Sequence, residues 1–246
     1  MRNEFIKKYR DLDQKMKALA ESDGDVYLPN PAPAGQVDYI LVCMEPSLGR
    51  WARSPEEART KVASGFRNFL AGIEPMLLHF STRRFLCDTD QRYHMTDFSK
   101  GAMTVEQAGK TRPDRYDKWY DLLQEEIKLV AAPGARVIAV GNEVANHLRR
   151  KGFPMNFTKV IHYSGQAGRA RNARLEGLED QFRDFANSIK SQDILSTTRD
   201  VLQESRVPSV IFNEAFSIVE GSKLSESRLK LVYCYKLDFE AMKNGN

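Results

Sequence analysis

Val37-Asp38-Tyr39-Ile40-Leu41-Val42-Cys43-Met44-Glu45-Pro46-Ser47 is an apolar run that stops abruptly at a carboxylate and a proline. The run from Val37 to Met44 is too short for a helix of ordinary length and too continuously apolar for a half-exposed strand. It reads as a strand buried on both faces, with a sharp exit loop. Strands of that kind belong to parallel sheets covered by helices. Proline restricts the residue before it, so Glu45 is held on stiff backbone at the strand's carboxyl end.

Working outward, the periods alternate. Upstream, Phe5, Tyr9, Leu12, Met16 and Leu19 give Glu4 to Ala20 a helical spacing, and the segment from Leu28 to Gly35 is a proline-rich extended connector. Downstream, Ser54 to His79 reads as a helix opening on Pro55 and Glu56, and Arg92 to Phe98 as a second strand. Pro113 to Ala131 is helical, Ala135 to Gly141 a third strand, Glu143 to Lys151 a helix, Lys159 to Ser164 a fourth strand and Leu175 to Lys190 an amphipathic helix. Four strands alternating with helices predict an α/β fold: a four-stranded parallel sheet flanked by helices, with an extra C-terminal segment. The expected organisation is one α/β domain over residues 1–190 and an extension over 191–246 packed on it. In the extension Ile194 to Glu204 reads as a helix, while Val207 to Val219 and Leu229 to Leu237 fit strands or short helices equally.

Composition narrows the function classes. The 246 residues carry a formal charge of +4, with 41% hydrophobic and 28% charged residues. A chain of this size folds without disulfides or structural metal. The mild basic balance fits a polyanionic partner without requiring one. Cys43, Cys87 and Cys234 form no CxxC pair, which speaks against a zinc site or an iron–sulfur cluster and fits a reducing cytoplasm. The charged N-terminal segment lacks the apolar core of a signal peptide, and no stretch approaches the roughly 18 apolar residues of a membrane span. Neither GxxxxGK[ST] nor GxGxxG occurs, so a phosphate-loop or dinucleotide site lacks its signature.

Ligands of open parallel sheets bind at the carboxyl ends of the strands. Three predicted strand ends carry polar residues suited to chemistry: Glu45, Asp97 and His162. Taken singly, each has a plain alternative: a solvated loop glutamate, a turn or N-cap aspartate, a core histidine. After His162 the chain runs Tyr163-Ser164-Gly165-Gln166-Ala167-Gly168-Arg169-Ala170-Arg171, where hydroxyls, backbone N–H groups and guanidiniums favour an anion such as phosphate.

Together Cys43-Met44-Glu45-Pro46-Ser47, Thr96-Asp97-Phe98-Ser99-Lys100 and His162-Tyr163-Ser164 resemble, in order and strand-end placement, the three motifs of the uracil-DNA glycosylase superfamily, over roughly Val37 to Ile189. The chain departs from that family at Met44-Glu45, at Tyr163 where a proline is usual, and at Asp97 where several branches have asparagine. The resemblance implies a monofunctional DNA glycosylase that extrudes a base and hydrolyses its bond to the sugar, leaving an abasic site. Glu45 then positions water and stabilises the sugar cation, and His162 donates to the base. Asp97 reads the base edge, Met44 lines the base site, and Phe66 or Trp51 stacks on the base, although core packing is the plainer explanation of either aromatic taken singly. Ser47, Arg50, Lys100, Ser164, Arg169 and Arg171 contact DNA. Neither a cofactor, a metal nor an obligate protein partner is implied. An ionised aspartate offers only acceptors and so suits the exocyclic amine of a cytosine. A host could not tolerate removal of plain cytosine, which points to a modified cytosine of phage DNA, hydroxymethylated or glucosylated, and to antiviral defence. Uracil or another deaminated base, and a catalytically silent nucleic-acid-binding module of the same fold, are the competing expectations.

Overall fold

The computed structural model describes residues 2–49, 51–70 and 72–245. In chain order its elements are α1 (Arg2–Ser22), β1 (Val26–Tyr27), β2 (Val37–Cys43), α2 (Pro55–Ala63), α3 (Ile73–Ser81), β3 (Tyr93–Asp97), β4 (Gly101–Ala102), α4 (Val105–Val130), β5 (Ala131–Val140), α5 (Asn142–Arg150), β6 (Phe157–Val160), α6 (Gly168–Arg174), α7 (Glu179–Ser188), α8 (Ser191–Glu204), α9 (Ser209–Glu220) and α10 (Glu226–Lys243). The fold is α/β, with a four-stranded parallel sheet in the order β3-β2-β5-β6. Among the described residues no helix is long and apolar enough to cross a membrane.

The chain divides into two compact units: Met1–Asn68 with Gln91–Lys159, and Phe69–Asp90 with Val160–Asn246. The division falls after Asn68, Asp90 and Lys159 rather than near residue 190, so α6 and α7 group with α8 to α10.

In the first unit the apolar run of β2 sits between β3 and β5, in register Ile40 with His94 and Val137, and Val42 with Thr96 and Ala139. Side chains alternate along a strand. Ile40, Val42, Val137 and Ala139 therefore share one face, and they pack with Tyr116, Tyr120, Leu123 and Ile127 of α4 and Val144 and Leu148 of α5. Leu41, Cys43, Ile138 and Val140 on the other face are equally inaccessible, which is why β2 reads as a continuous apolar run. Helix α1 lays Leu12, Met16 and Ala20 against Tyr27 and Trp119.

Local chemistry corrects several boundaries. The predicted helix from Ser54 to His79 is two helices, α2 and α3, because Gly65, Phe69 and Gly72 between them take positive φ values of 103°, 64° and 89°. Helix α4 begins eight residues before Pro113: Thr104 caps it, accepting from the Gln107 N–H while Gln107 accepts from the Thr104 N–H, and Pro113 lies inside. The helix predicted from Leu175 to Lys190 starts only at Glu179, as α7; α6 ends at Arg174, and Gly177 between them has φ 79°. The fourth strand ends at Val160, leaving His162 in the loop beyond it. The connector after Tyr27 is not a solvated spacer: Leu28 and Asn30 are buried, and the Leu28 N–H donates to the Lys100 carbonyl at 2.9 Å.

The second unit is helical. Helix α3 buries Met76 to Ser81, and α10 buries Leu231 to Tyr235, Phe239 and Met242. Phe85, Phe185 and Tyr233 form a ring cluster, with centroids 6.1 and 4.8 Å apart. Arg228 pairs with Glu74 at 2.8 Å and Arg83 with Glu204 at 2.5 Å.

The small pairing of β1 with β4 depends on a missing side chain. A Cβ on Gly101 would stand 2.5 Å from Asp25 Oδ2 and 2.9 Å from Asp25 Cβ. Gly101→Ala is expected to cost about 2 kcal/mol of unfolding free energy, a typical overpacking penalty. Urea unfolding measures it; an unchanged midpoint would show that Asp25 moves aside freely.

Candidate active site at the strand ends

The carboxyl ends of β2 and β3 lie side by side, because Cys43 pairs with Asp97 and the Phe98 N–H donates to the Cys43 carbonyl at 2.8 Å. Strand order places the topological switch between β2 and β5, where open α/β sheets carry ligands. Glu45 emerges there. Arg112 donates to its Oε1 from Nε at 2.9 Å and from Nη2 at 2.6 Å, and the Tyr116 hydroxyl donates to Oε2 at 2.6 Å. The Glu45 side chain is only 3% exposed. Burial and the carboxylate raise the Tyr116 pKa well above its usual value, so its phenol keeps its proton and remains a donor. Tyr116 in turn stacks on Phe98, with ring centroids 4.1 Å apart. A small pocket of about 130 Å³ is lined by Arg112, Pro113, Tyr116, Glu143, His147 and Arg150, among others. His147 accepts from Arg150 at 2.9 Å, and burial lowers its pKa to about 4.

Beside Glu45, Asp97 is 2% exposed and receives two amides on one oxygen: Asn30 Nδ2 at 2.6 Å and Asn68 Nδ2 at 2.7 Å, both on Oδ2. Burial raises its pKa to about 7 against the pull of those amides and of Lys100. The amides hold an orientation of their own. Asn30 Oδ1 accepts from the Thr96 hydroxyl at 3.2 Å and the Asp97 N–H at 3.4 Å. The single Thr96 hydroxyl proton is shared with Glu126 Oε2, the nearer acceptor at 2.7 Å, and the hydroxyl accepts from Lys100 Nζ at 3.0 Å. Lys100 Nζ sits 2.6 Å from Glu126 Oε1, and both side chains are at most 2% exposed. Tyr9 and His94 close the shell around Glu126 at 3.2 and 3.1 Å. Burial opposes ionisation of Glu126, but Lys100 and His94 outweigh it and lower its pKa to about 2.

Several expected contacts are corrected by this geometry. Lys100 is enclosed by Glu126 and Thr96 and does not reach solvent, so it cannot grip a phosphate. Asp97 directs its carboxylate at two protein amides. Phe66, 8% exposed, stacks on Trp51 with centroids 4.7 Å apart at 12°, so the two candidate base-stacking rings pack on each other. Trp51 is further fixed by donating to the Ser47 carbonyl at 2.7 Å. Met44 packs partly buried against the sheet core. Ser47 is half-buried and bridges to Met103. Arg50 lies outside the described residues.

The remaining candidates belong to the second unit. The Ser164 N–H donates to His162 Nδ1 at 3.1 Å, which puts the proton of a neutral ring on Nε2. The His162 ring stacks on Tyr163 at 4.4 Å. Ser164 is half-buried and opens a short turn at Gly165–Ala167. Arg169 is exposed. Arg171 is not available to DNA: it is 6% exposed and donates to Ser227 Oγ at 3.1 Å. Among the described residues no group of three or more histidine, cysteine, aspartate or glutamate side chains could hold a metal ion.

Sequence reasoning overlooked Asn30, Asn68, Arg112, Tyr116 and Glu126. Glu126 had a signal, since it stands on the apolar stripe Trp119, Leu123, Glu126 and Val130 of α4, where a charge needs a buried partner. The two asparagines had none.

Two expectations follow. Lys100→Met strands the Glu126 charge and is expected to lose about 3–5 kcal/mol, much of which Lys100→Met with Glu126→Leu restores; a mild single variant in chemical denaturation contradicts this. Asp97 has a folded pKa near 7 against an ordinary 3.8. Between those values the folded protein keeps a proton that the unfolded chain has released, so stability falls as pH rises from about 4 to 7 and then levels. Asp97→Asn should therefore be more stable than wild type at pH 8, by up to about 4 kcal/mol, with the gap closing toward pH 4. A gap independent of pH refutes the raised pKa. No family model matches this sequence, and neither a curated protein nor a solved structure shows significant similarity to it.

Proposed function

We propose that the chain is a monofunctional DNA glycosylase that hydrolyses the N-glycosidic bond of an extruded base, with a modified cytosine of phage DNA as its substrate. The observation that carries this reading is the juxtaposition, on adjacent strand ends, of a rigidly clamped Glu45 and a buried Asp97 whose pKa lies near neutrality. A strongly perturbed carboxyl such as Asp97 at the mouth of a parallel sheet is a candidate for catalytic work. The order of the three motif segments supports the same class. Arg112 and Tyr116 fix the Glu45 carboxylate, so its field acts on a sugar cation without reorganisation at the moment of bond cleavage. His162, Ser164 and Arg169 belong to the second unit, and the reading rests on Glu45 and Asp97 of the first. A base with an N–H donor edge suits the acceptor-rich strand end.

One observation favours a second reading, a catalytically silent nucleic-acid-binding module: both Glu45 oxygens are engaged by protein donors and the side chain is nearly inaccessible. The discriminating experiment incubates the protein with oligonucleotides carrying one uracil, one 5-hydroxymethylcytosine or one glucosylated 5-hydroxymethylcytosine. Alkali-labile sites are scored and the free base is identified by mass. Release of the modified cytosine is expected, reduced about 10²–10³-fold in Glu45→Gln. Uracil release alone keeps the class and rejects the base. No release from any oligonucleotide supports the silent module.

A further inference from the structure

We infer that Asn68 is the residue that meets the base, through its side-chain Oδ1, and that Asp97 and Asn30 are positioning residues behind it. The inference rests on the glycosylase reading and reassigns within it the base contact expected of Asp97.

Asp97 is badly placed to touch a ligand. It is 2% exposed, and its Oδ2 already takes both amides. Asn68 is half-buried and is the outermost member of that hydrogen-bonded chain. Its Nδ2 is committed to Asp97 at 2.7 Å, which fixes the amide plane and turns Oδ1, on the other arm of the amide, away from Asp97. Among the described residues no hydrogen bond falls on Oδ1. An amide pinned at its nitrogen in this way is a pure acceptor at its free oxygen.

The backbone is held as tightly as the side chain. The Asn68 N–H donates to the Pro29 carbonyl at 2.9 Å, beside Asn30. Phe69, the next residue, has φ 64° although it is not glycine, and it is 1% exposed. Such a conformation costs free energy and persists only where the surroundings over-determine it, as they do at sites that must aim a side chain. Two residues before Asn68, Phe66 stacks on Trp51. That ring pair is packed on itself, so it braces the loop that carries Asn68, and the aimed acceptor is what the loop offers an extruded base.

The orientation is inherited from the interior. Lys100 and Glu126 fix Thr96, Thr96 and the Asp97 N–H fix Asn30, and Asn30 together with Asn68 saturates Asp97 Oδ2. The acceptor at Asn68 Oδ1 fits an N–H donor on the base edge, either the exocyclic amine of a cytosine-type base or the ring N–H of a uracil-type base.

The test compares wild type, Asn68→Ala and Asn68→Gln in single-turnover base release from oligonucleotides carrying a 5-hydroxymethylcytosine, its glucosylated form or a uracil. Affinity for a duplex with a tetrahydrofuran abasic analogue is measured alongside. That duplex has no base, so a base-reading residue leaves its affinity unchanged whereas a structural residue does not. The expected result is a fall in release of at least about 100-fold in both variants, with affinity for the abasic duplex within about twofold of wild type. Asn68→Gln keeps the amide but displaces it by one methylene, so it retains the fold if alanine does not. Which wild-type oligonucleotide loses its base identifies the donor edge. Release at the wild-type rate by the variants overturns the inference and leaves the glycosylase standing, as does a parallel loss of release and abasic-site affinity. No release by wild type from any oligonucleotide overturns the glycosylase reading, and this inference with it.

Discussion

The Glu126–Lys100 ion pair is the interaction on which the first unit depends. Two charges buried to within 2% of complete inaccessibility cost several kcal/mol each in desolvation. That cost is offset by a 2.6 Å contact and by hydrogen bonds from Thr96, Tyr9 and His94. The partners come from α1, β3, the turn after β3, and α4. Removing either charge leaves the other unpaired, so the pair locks these elements in one arrangement. The turn from Phe98 to Lys100 then cannot drift, and the strand end that carries Asp97 is set by the interior.

A second consequence concerns the division of labour at the strand ends. Glu45 faces an arginine and a tyrosine, while Asp97 faces only neutral amides, with the Lys100 charge shared with Glu126. The neutral environment is what lets burial raise Asp97 toward neutrality. Two carboxylates on neighbouring strands thereby acquire different surroundings, a common way for one site to hold distinct roles. The same geometry puts Asn68, not a carboxylate, at the solvent side of the chain of hydrogen bonds.

The sheet was legible in the sequence because burial on both faces leaves β2 a plain mark: an apolar run ended by Glu45-Pro46. Strand-end placement of Glu45 and Asp97 followed from the same logic. Boundaries set by single residues in left-handed conformations were not legible, since Gly65, Phe69 and Gly72 look like ordinary members of a helical period until their backbone is seen. Helix α10 was ambiguous because it buries residues all round, Leu231 to Tyr235 in succession, which erases the helical period. Lys100 and Arg171 were misread for a general reason: a sequence shows a cation but not the acceptor that encloses it. Asn30 and Asn68 were invisible, because their importance lies in meeting on one oxygen of Asp97, and nothing in their spacing of 38 positions encodes that.

The most direct test of the whole account is a crystal structure of the protein with a duplex whose 5-hydroxymethylcytosine nucleotide carries a 2′-fluorine, which slows cleavage of the glycosidic bond. The account predicts an extruded base beyond the carboxyl ends of β2 and β3, with an N–H of its edge within hydrogen-bond reach of Asn68 Oδ1 and the Glu45 carboxylate beneath the sugar. A base that stays stacked in the duplex, or one extruded to a different face of the molecule, would contradict it.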